Sequence, residues 1–414
     1  MQPLAITGAR LLDARSGDPL AGDMLVTGAD GRIAALGSLL PIPDGARVLD
    51  AAGRTLVPGL IDCHVHLSGG YEPLHDIVRI PYAESIARSI ECGMAFLASG
   101  VTAIRDAGFA PAGLKAVFRR SAFAGPRLQV SVSPLSITGG HGDGMTPSGV
   151  DLNQGVPASE LPSGIADGPD EVRRVVRRQI AAGADWIKVM ATGGVFSLLD
   201  APGAVQYTEA EMRVMVEEAH NAGIRGVLAH CENAPGIKNA VRAGVRSIEH
   251  GDGIDDEAID LMLEREVPLV PTFLVTEEML APARIESGAT PPWAVEKAQV
   301  LLADMEPRFR HAVERSVRVA MGTDGVQGSH LPSELALMAS HGLSPLAALR
   351  AATIEAARLL GIDAEVGTLE VGKQADVLLL DFDPLADPEA WRDASKLAAV
   401  VQGGIVRAYR MGAA

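Results

Sequence analysis

Along the chain, short apolar runs alternate with longer stretches whose apolar positions recur at helical spacing. The runs Leu60–Leu67, Val101–Asp106, Leu128–Ser133, Trp186–Ala191, Gly226–His230, Ser247–His250, Leu269–Phe273 and Val319–Thr323 predict strands. Amphipathic stretches between them, among them Asp170–Ala182, Thr208–Ala222, Pro235–Ala243 and Asp255–Glu266, predict helices. Thr208-Glu-Ala-Glu211 has the capping-box pattern of a helix start. Eight such alternations within residues 57–360 predict a (β/α)8 TIM barrel, whose reactive groups stand at the C-terminal ends of the strands. A doubly wound open sheet is the rival, but it would not gather polar groups from so many strands around one axis.

The two ends of the chain read differently. Leu4-Ala-Ile-Thr7, Asp23-Met-Leu-Val-Thr27, Arg32-Ile-Ala-Ala-Leu36 and Arg47-Val-Leu-Asp50 are short runs separated by glycine turns. Asp376-Val-Leu-Leu-Leu-Asp381, Leu397-Ala-Ala-Val-Val-Gln402 and Gly404-Ile-Val-Arg-Ala-Tyr409 repeat that texture. Residues 1–56 and 361–414 are therefore expected to build one small β-sandwich domain, with the 57–360 domain inserted between them. Three connections, 68–100, 139–169 and 274–316, are long enough to serve as lids or binding loops.

Composition narrows the class. The 414 residues are 47% hydrophobic and 21% charged, as in an ordinary globular protein. A net charge of −16 without long like-charged blocks argues against nucleic acid or an anionic membrane as partner. Three cysteines cannot make a disulfide framework, the N-terminus lacks a signal-peptide pattern, and no apolar run approaches membrane-helix length. A cytoplasmic location, a homo-oligomeric assembly and a small-molecule substrate are the resulting expectations.

The polar residues at the predicted strand tips carry the chemistry. His64 and His66, two apart on a strand, share a face. Lys188, His230, His250 and Asp324 occupy the tips of the fourth, fifth, sixth and eighth runs. His64 and His66 alone would read as core or surface histidines, and Asp324 alone as a turn residue. Together the imidazoles and carboxylate suit a zinc-like metal. Lys188 is the misfit, because an ammonium cannot ligate a cation and is costly to bury unpaired. Reaction with carbon dioxide removes the conflict, since a carbamate is an anion able to bridge two metals that share a hydroxide.

This pattern resembles the amidohydrolase superfamily, in its binuclear carbamylated-lysine form. The resemblance runs through Pro58-Gly-Leu-Ile-Asp-Cys-His-Val-His66, Lys188, His230, Ser247-Ile-Glu-His-Gly251, Gly322-Thr-Asp324 and Gly372-Lys-Gln-Ala-Asp-Val377. Gly100-Val-Thr-Ala-Ile-Arg-Asp-Ala-Gly108, Ser133-Pro-Leu-Ser-Ile-Thr-Gly-Gly-His141 and Ile187-Lys-Val-Met-Ala-Thr-Gly-Gly194 are similar to the Xaa-Pro dipeptidase and imidazolonepropionase-like subgroup. The resemblance implies hydrolysis of a C–N bond in a dipeptide or N-acyl amino acid. Amidases acting on ochratoxin- or herbicide-like amides and carbamates, and mononuclear cyclic-amide hydrolases, are the alternatives. It further implies two divalent cations, zinc first among them. His64, His66 and Asp324 would hold the more buried ion and His230 and His250 the more exposed one, with carbamylated Lys188 between them. Asp324 would act as general base and then general acid, and His141 would contact the substrate.

Two positions depart from the relatives. Dipeptidase-like members often carry a tyrosine two residues after the fifth-strand histidine, where this chain has Glu232. A carboxylate there opposes an anionic substrate group and leaves a basic or neutral one as the alternative. Mononuclear relatives carry a glutamate three residues after that histidine, and Asn233 stands in its place. The other candidates read as ordinary. His75, His220, His311, His330 and His341 fall in helical or loop runs, Cys63 is expected to face the helix layer as a filler, and Cys231 is not expected to be a ligand. Gly367-Thr-Leu-Glu-Val-Gly-Lys373 has phosphate-loop spacing but is followed by Gln374, and no Gly-x-Ser-x-Gly elbow is present.

Overall fold

The computed structural model describes residues 1–68, 79–152 and 157–410. Strands Leu60–Val65, Val101–Asp106 and Arg127–Val130 pair in parallel, as do Ile187–Met190, Val227–Cys231, Ser247–His250 and Leu269–Val270. Single bridges join the outer members: Leu135 to Val189, Leu269 to Val319 and Val65 to Gly325. The eighth expected run, Val319–Thr323, forms no regular strand, yet it is hydrogen-bonded on both sides. Leu269 N donates to Arg318 O, and Cys63 N donates to Met321 O. Its regularity fails because the backbone turns left-handed at Asp324 (φ 52°) just after a close approach at Gly322. A Cβ at Gly322 would lie 2.2 Å from Val270 Cγ1 and 2.8 Å from His64 Cβ.

The four expected helices form as Pro169–Ala181, Glu209–Asn221, Ala234–Ala243 and Asp256–Arg265. Thr208 and Glu211 make the reciprocal capping bonds. Val172, Val176, Met212, Met215, Ile237, Ala240 and Ile259 pack from these helices against the outward strand residues Val101, Ile187, Val189, Val227, Ala229 and Ile248. Ile61, Cys63, Ala103, Trp186, Leu228 and Val270 form a separate cluster on the other face of the strands.

Cys63 belongs to that second cluster, which includes Ala356, Ala357 and Leu360 of the helix Ala356–Leu360, and its Sγ lies 3.9 Å from Ala356 O, so it packs against a helix as a filler. The strand pairing slips between Leu60 and Ile61 and again between Asp62 and Val65. The long connections are also corrected. Residues 68–100 contain the helix Tyr82–Ala98, and 274–316 contain the helix Pro292–Glu314 with shorter turns before it. Prolines at the helix starts hid them, although proline suits the first turn. His75 lies outside the described residues.

Strands from both chain ends make two further sheets. One is Ile33–Gly37, Met24–Thr27, Leu4–Thr7 and Arg47–Asp50; the other is Ile405–Tyr409, Leu397–Gln402, Val377–Leu380, Thr55–Pro58 and Arg10–Leu11. Leu4, Ile6, Leu25 and Leu49 from the first share a core with Leu56, Val377, Leu379 and Val401 from the second. No helix among the described residues is long and apolar enough to cross a membrane.

Asp376 ties the C-terminal strands to the parallel strands. Its buried carboxylate accepts from Arg127 Nε and Nη2, both at 3.0 Å, and from Gly403 N at 2.6 Å. Removing a buried, hydrogen-bonded charge partner costs roughly 2–4 kcal/mol. Asp376→Ala is expected to lower unfolding stability by about that much in denaturant titration, whereas the exposed Val371→Ala changes it by less than about 0.5 kcal/mol. Equal stability of the two variants would contradict the tie.

Candidate metal centre

The eight residues expected at the site, His64, His66, His141, Lys188, His230, Glu232, His250 and Asp324, all line one cavity of about 100 Å3. It opens where the parallel strands end, as their sequence positions require. His64 and His66 ring centroids are 5.6 Å apart, His64 and His250 5.1 Å, and His230 and His250 4.6 Å. Asp324 Oδ1 lies 3.1 Å from His66 Nε2 and 3.4 Å from His64 Nε2. Among the described residues, His64, His66 and Asp324 form a donor group with its ligand atoms within 4.8 Å of one another.

The far nitrogen of each imidazole fixes its ring. His64 Nδ1 meets Glu249 Oε2 at 2.7 Å, His66 Nδ1 meets Gly108 O at 3.0 Å, and His250 Nδ1 meets Thr272 Oγ1 at 2.7 Å. These contacts turn each Nε2 into the cavity, as metal-binding histidines require. His230 is reversed: its Nε2 meets Gly193 O at 3.1 Å, which leaves Nδ1 as the free nitrogen. Burial holds the His64, His230 and His250 pKa values well below the ordinary imidazole value, so these rings are neutral donors. Burial raises the Asp324 pKa, but His64, His66 and Lys188 outweigh it and bring the carboxyl down to about 2. His250 and Asp324 both hold left-handed backbone, at φ 68° and 52°, as does Thr272 at 54°. Strain of this kind persists where surrounding structure over-determines it.

Glu249 and Arg105 support this floor from beneath, and neither stood out in the sequence. Both are fully buried; Arg105 Nη2 donates to Glu249 Oε1 at 2.9 Å and its guanidinium lies over Trp186. Glu249 immediately precedes His250, and a charge inside an apolar strand was the available signal. Its partner is 144 residues away in sequence, so the pairing itself was not readable. Asp106 works similarly, accepting from Leu67 N at 2.8 Å and Gly108 N at 2.9 Å to shape the loop that holds His66.

Lys188 is 1% exposed, with Nζ 3.3 Å from His64 Nε2. Among the described residues it has no carboxylate within ion-pair distance. Burial pulls its pKa down to about 8, which enlarges the fraction of neutral, nucleophilic amine relative to an ordinary lysine. Neutral imidazoles, an ionised carboxylate and a buried reactive amine converging on one space are the donor set a divalent metal pair would use. The residues fit that group.

The outer wall carries the groups nearer a substrate. His141 stacks on His230 at 4.5 Å, and its Nδ1 lies 2.9 Å from Ser197 Oγ. Gly194 makes room for that ring, since a Cβ there would lie 2.3 Å from His141 Cε1. Burial lowers the His141 pKa to about 4. Asp200, Ser197 and Lys297 complete a network on this wall; it depends on loop geometry that no local pattern reveals. Burial, with Asp252 and Asp200 nearby, raises the Glu232 pKa well above the usual carboxylate value. Asn233 caps the helix Ala234–Ala243, accepting from Gly236 N at 2.9 Å. His311 pairs with Asp256, His330 bonds Trp391 O and His341 stacks on Phe273, so these histidines have structural partners away from the cavity floor.

Comparison with known proteins places this geometry. A sequence profile described as the amidohydrolase family matches residues 55–406. Ochratoxinase from Aspergillus niger is 35% identical over 418 aligned residues, spanning 97% of this chain and 86% of its own. The imidazolonepropionase of Symbiobacterium thermophilum is 28% identical, over 91% and 90% of the two chains. The crystal structure of a prolidase complexed with N-methylphosphonate-L-proline superposes with a TM-score of 0.89 at 34% identity, over 98% of this chain and 99% of that one.

Glu249→Gln removes the charge that orients His64 and balances Arg105. Loss of such a supporting contact typically weakens metal affinity about 10- to 100-fold. Chelator competition is expected to read a loss in that range with circular dichroism unchanged; an unaltered affinity would refute the supporting role.

Proposed function

The chain belongs to the amidohydrolase family, and from that premise we propose that it hydrolyses the C–N bond of a dipeptide or N-acyl amino acid. The observation that carries this reading is a buried lysine amine set among neutral imidazoles and an ionised carboxylate in one cavity. The parallel strands and their joining bridges support a (β/α)8 barrel over residues 57–360. The two sheets with a common core support a β-sandwich domain from 1–56 and 361–414. With this reading go a cytoplasmic location and a homo-oligomeric assembly.

His64, His66 and Asp324 would hold one divalent cation and His230 and His250 a second, with carbamylated Lys188 between them; zinc is the first candidate for both. When bound, such cations supply Lewis acidity and a water nucleophile active near neutrality. The chain's own groups do the rest. Asp324, ionised and bonded to His66, accepts the water proton at its carboxylate and delivers it to the departing nitrogen. His141, its Nδ1 engaged by Ser197, presents Nε2 to the substrate carbonyl side. Val195, Phe196, Val275 and Met279 give the cavity an apolar flank for a substrate side chain.

A second reading, hydrolysis of a xenobiotic amide or carbamate, is favoured by the likeness to ochratoxinase along nearly the whole chain. A mononuclear cyclic-amide hydrolase is disfavoured because Asn233 serves as a helix cap where those relatives place a glutamate. A library of dipeptides, N-acyl amino acids and aryl amides, screened with the metal-reconstituted protein, separates the first two.

Lys188→Ala tests the centre. It is expected to bind fewer metal ions per chain and to lose turnover by at least about a thousandfold, on the scale of lost metal-assisted water activation. Retention of both metal content and turnover would contradict the bridging role.

A further inference from the structure

Outside the metal cavity lies a larger one, of about 550 Å3. The two meet at a wall formed by Glu232, Asp252 and Leu301. Glu232 stands two residues beyond His230 and Asp252 two residues beyond His250, on neighbouring parallel strands. Their carboxylates therefore occupy equivalent places at the mouth of the metal cavity.

These two acids lack the partners that every nearby acid has. Glu232 is only 6% exposed, and its Oε2 makes no hydrogen bond. Its Oε1 comes no closer than 3.8 Å to His230 Nε2. Among the described residues, Asp252 forms no ion pair. Lys297 acts on Glu232 and Arg308 on Asp252 only through space, and both make their close contacts elsewhere. Lys297 Nζ donates to Gly194 O, Ser197 O and Asp200 Oδ1 at 3.1, 2.6 and 3.3 Å. Arg308 pairs with Asp304, His311 with Asp256, and Lys238 with Asp255 and Glu257. A buried carboxylate oxygen without a hydrogen bond or a close ion pair is unfavourable, so an arrangement that retains one has room for a cation that arrives from outside.

We propose that Glu232 and Asp252 form a subsite for a positively charged substrate group, an alkylammonium or guanidinium, that reaches the metal cavity through the outer one. This deepens the amide-hydrolase reading and rests on it for the word substrate. The cation neutralises the orphaned carboxylate, while a neutral group of the same shape leaves it unpaired. Discrimination by a buried charge partner is worth at least about tenfold in affinity. The acidic rim, Asp255, Asp256 and Asp304, gives the entrance the same sign of charge.

The cation could belong to either half of the substrate, and paired compounds separate the two. N-acetyl-L-lysine against N-acetyl-L-norleucine places it on the leaving amino acid. L-alanyl-L-norleucine against N-propionyl-L-norleucine places it on the acyl half. Turnover of each pair is measured with the metal-loaded protein. Calorimetric binding of the products, L-lysine against L-norleucine and L-alanine against propionate, gives a readout independent of chemistry. In at least one arm the cationic member is expected to be favoured about tenfold or more. Glu232→Gln is expected to reduce that ratio to below about threefold, with Asp252→Asn as the second variant should the first not fold. Equal binding of cationic and neutral members in both arms would overturn the proposal, as would a preference that survives in both variants. Calorimetric preference without hydrolysis of any compound would uphold the subsite and count against the amide-hydrolase reading instead.

Discussion

A lysine side chain with almost no exposure, set 3.3 Å from an imidazole and, among the described residues, without a carboxylate in ion-pair range, is the constraint around which the centre is arranged. As an ammonium it would be a buried cation without a close ion pair among the described residues, acted on by Glu249 and Asp324 only at a distance. As a neutral amine it becomes a nucleophile. The rest of the floor is consistent with the second state. Three of the four strand-tip imidazoles are held neutral, each with a defined nitrogen facing inward, and Asp324 is the ionised group opposite Lys188. Beneath them the Arg105–Glu249 pair supplies a fixed charge couple that locks His64 without reaching the cavity.

Much of this was legible in the chain because strand tips are a one-dimensional property. His230, His250 and Asp324 close apolar runs, while His64 and Lys188 lie within theirs on the inward face, and period-two geometry sends them all toward one space. The helices between those runs were equally legible, down to the capping pair Thr208 and Glu211. Legibility stopped where local periodicity stops. No local pattern announces the pairing slips around Leu60–Val65. The helix Pro292–Glu314 carries prolines at its start and inside it, which masks its period although the helix forms. Glu249, Arg105, Asp200 and Lys297 act through contacts that span tens to hundreds of residues, and no nearby pattern marks such pairs.

The same geometry explains why the substrate wall differs from the metal floor. The floor is satisfied: each ring nitrogen and carboxylate has a partner or faces the shared space. The wall keeps Glu232 buried with an unbonded oxygen. The family match spans residues 55–406 and so covers floor and wall alike; the unbonded acid is a feature of this chain's own geometry.

The central claim is that Lys188 links two cations as an anion. An X-ray map of the protein crystallised with zinc and bicarbonate, with anomalous data collected at the metal edge, tests it most directly. Two anomalous peaks, one beside His64, His66 and Asp324 and one beside His230 and His250, with three-atom density extending from Lys188 Nζ between them, is the predicted result. A single peak with Lys188 ending at its amine would contradict it.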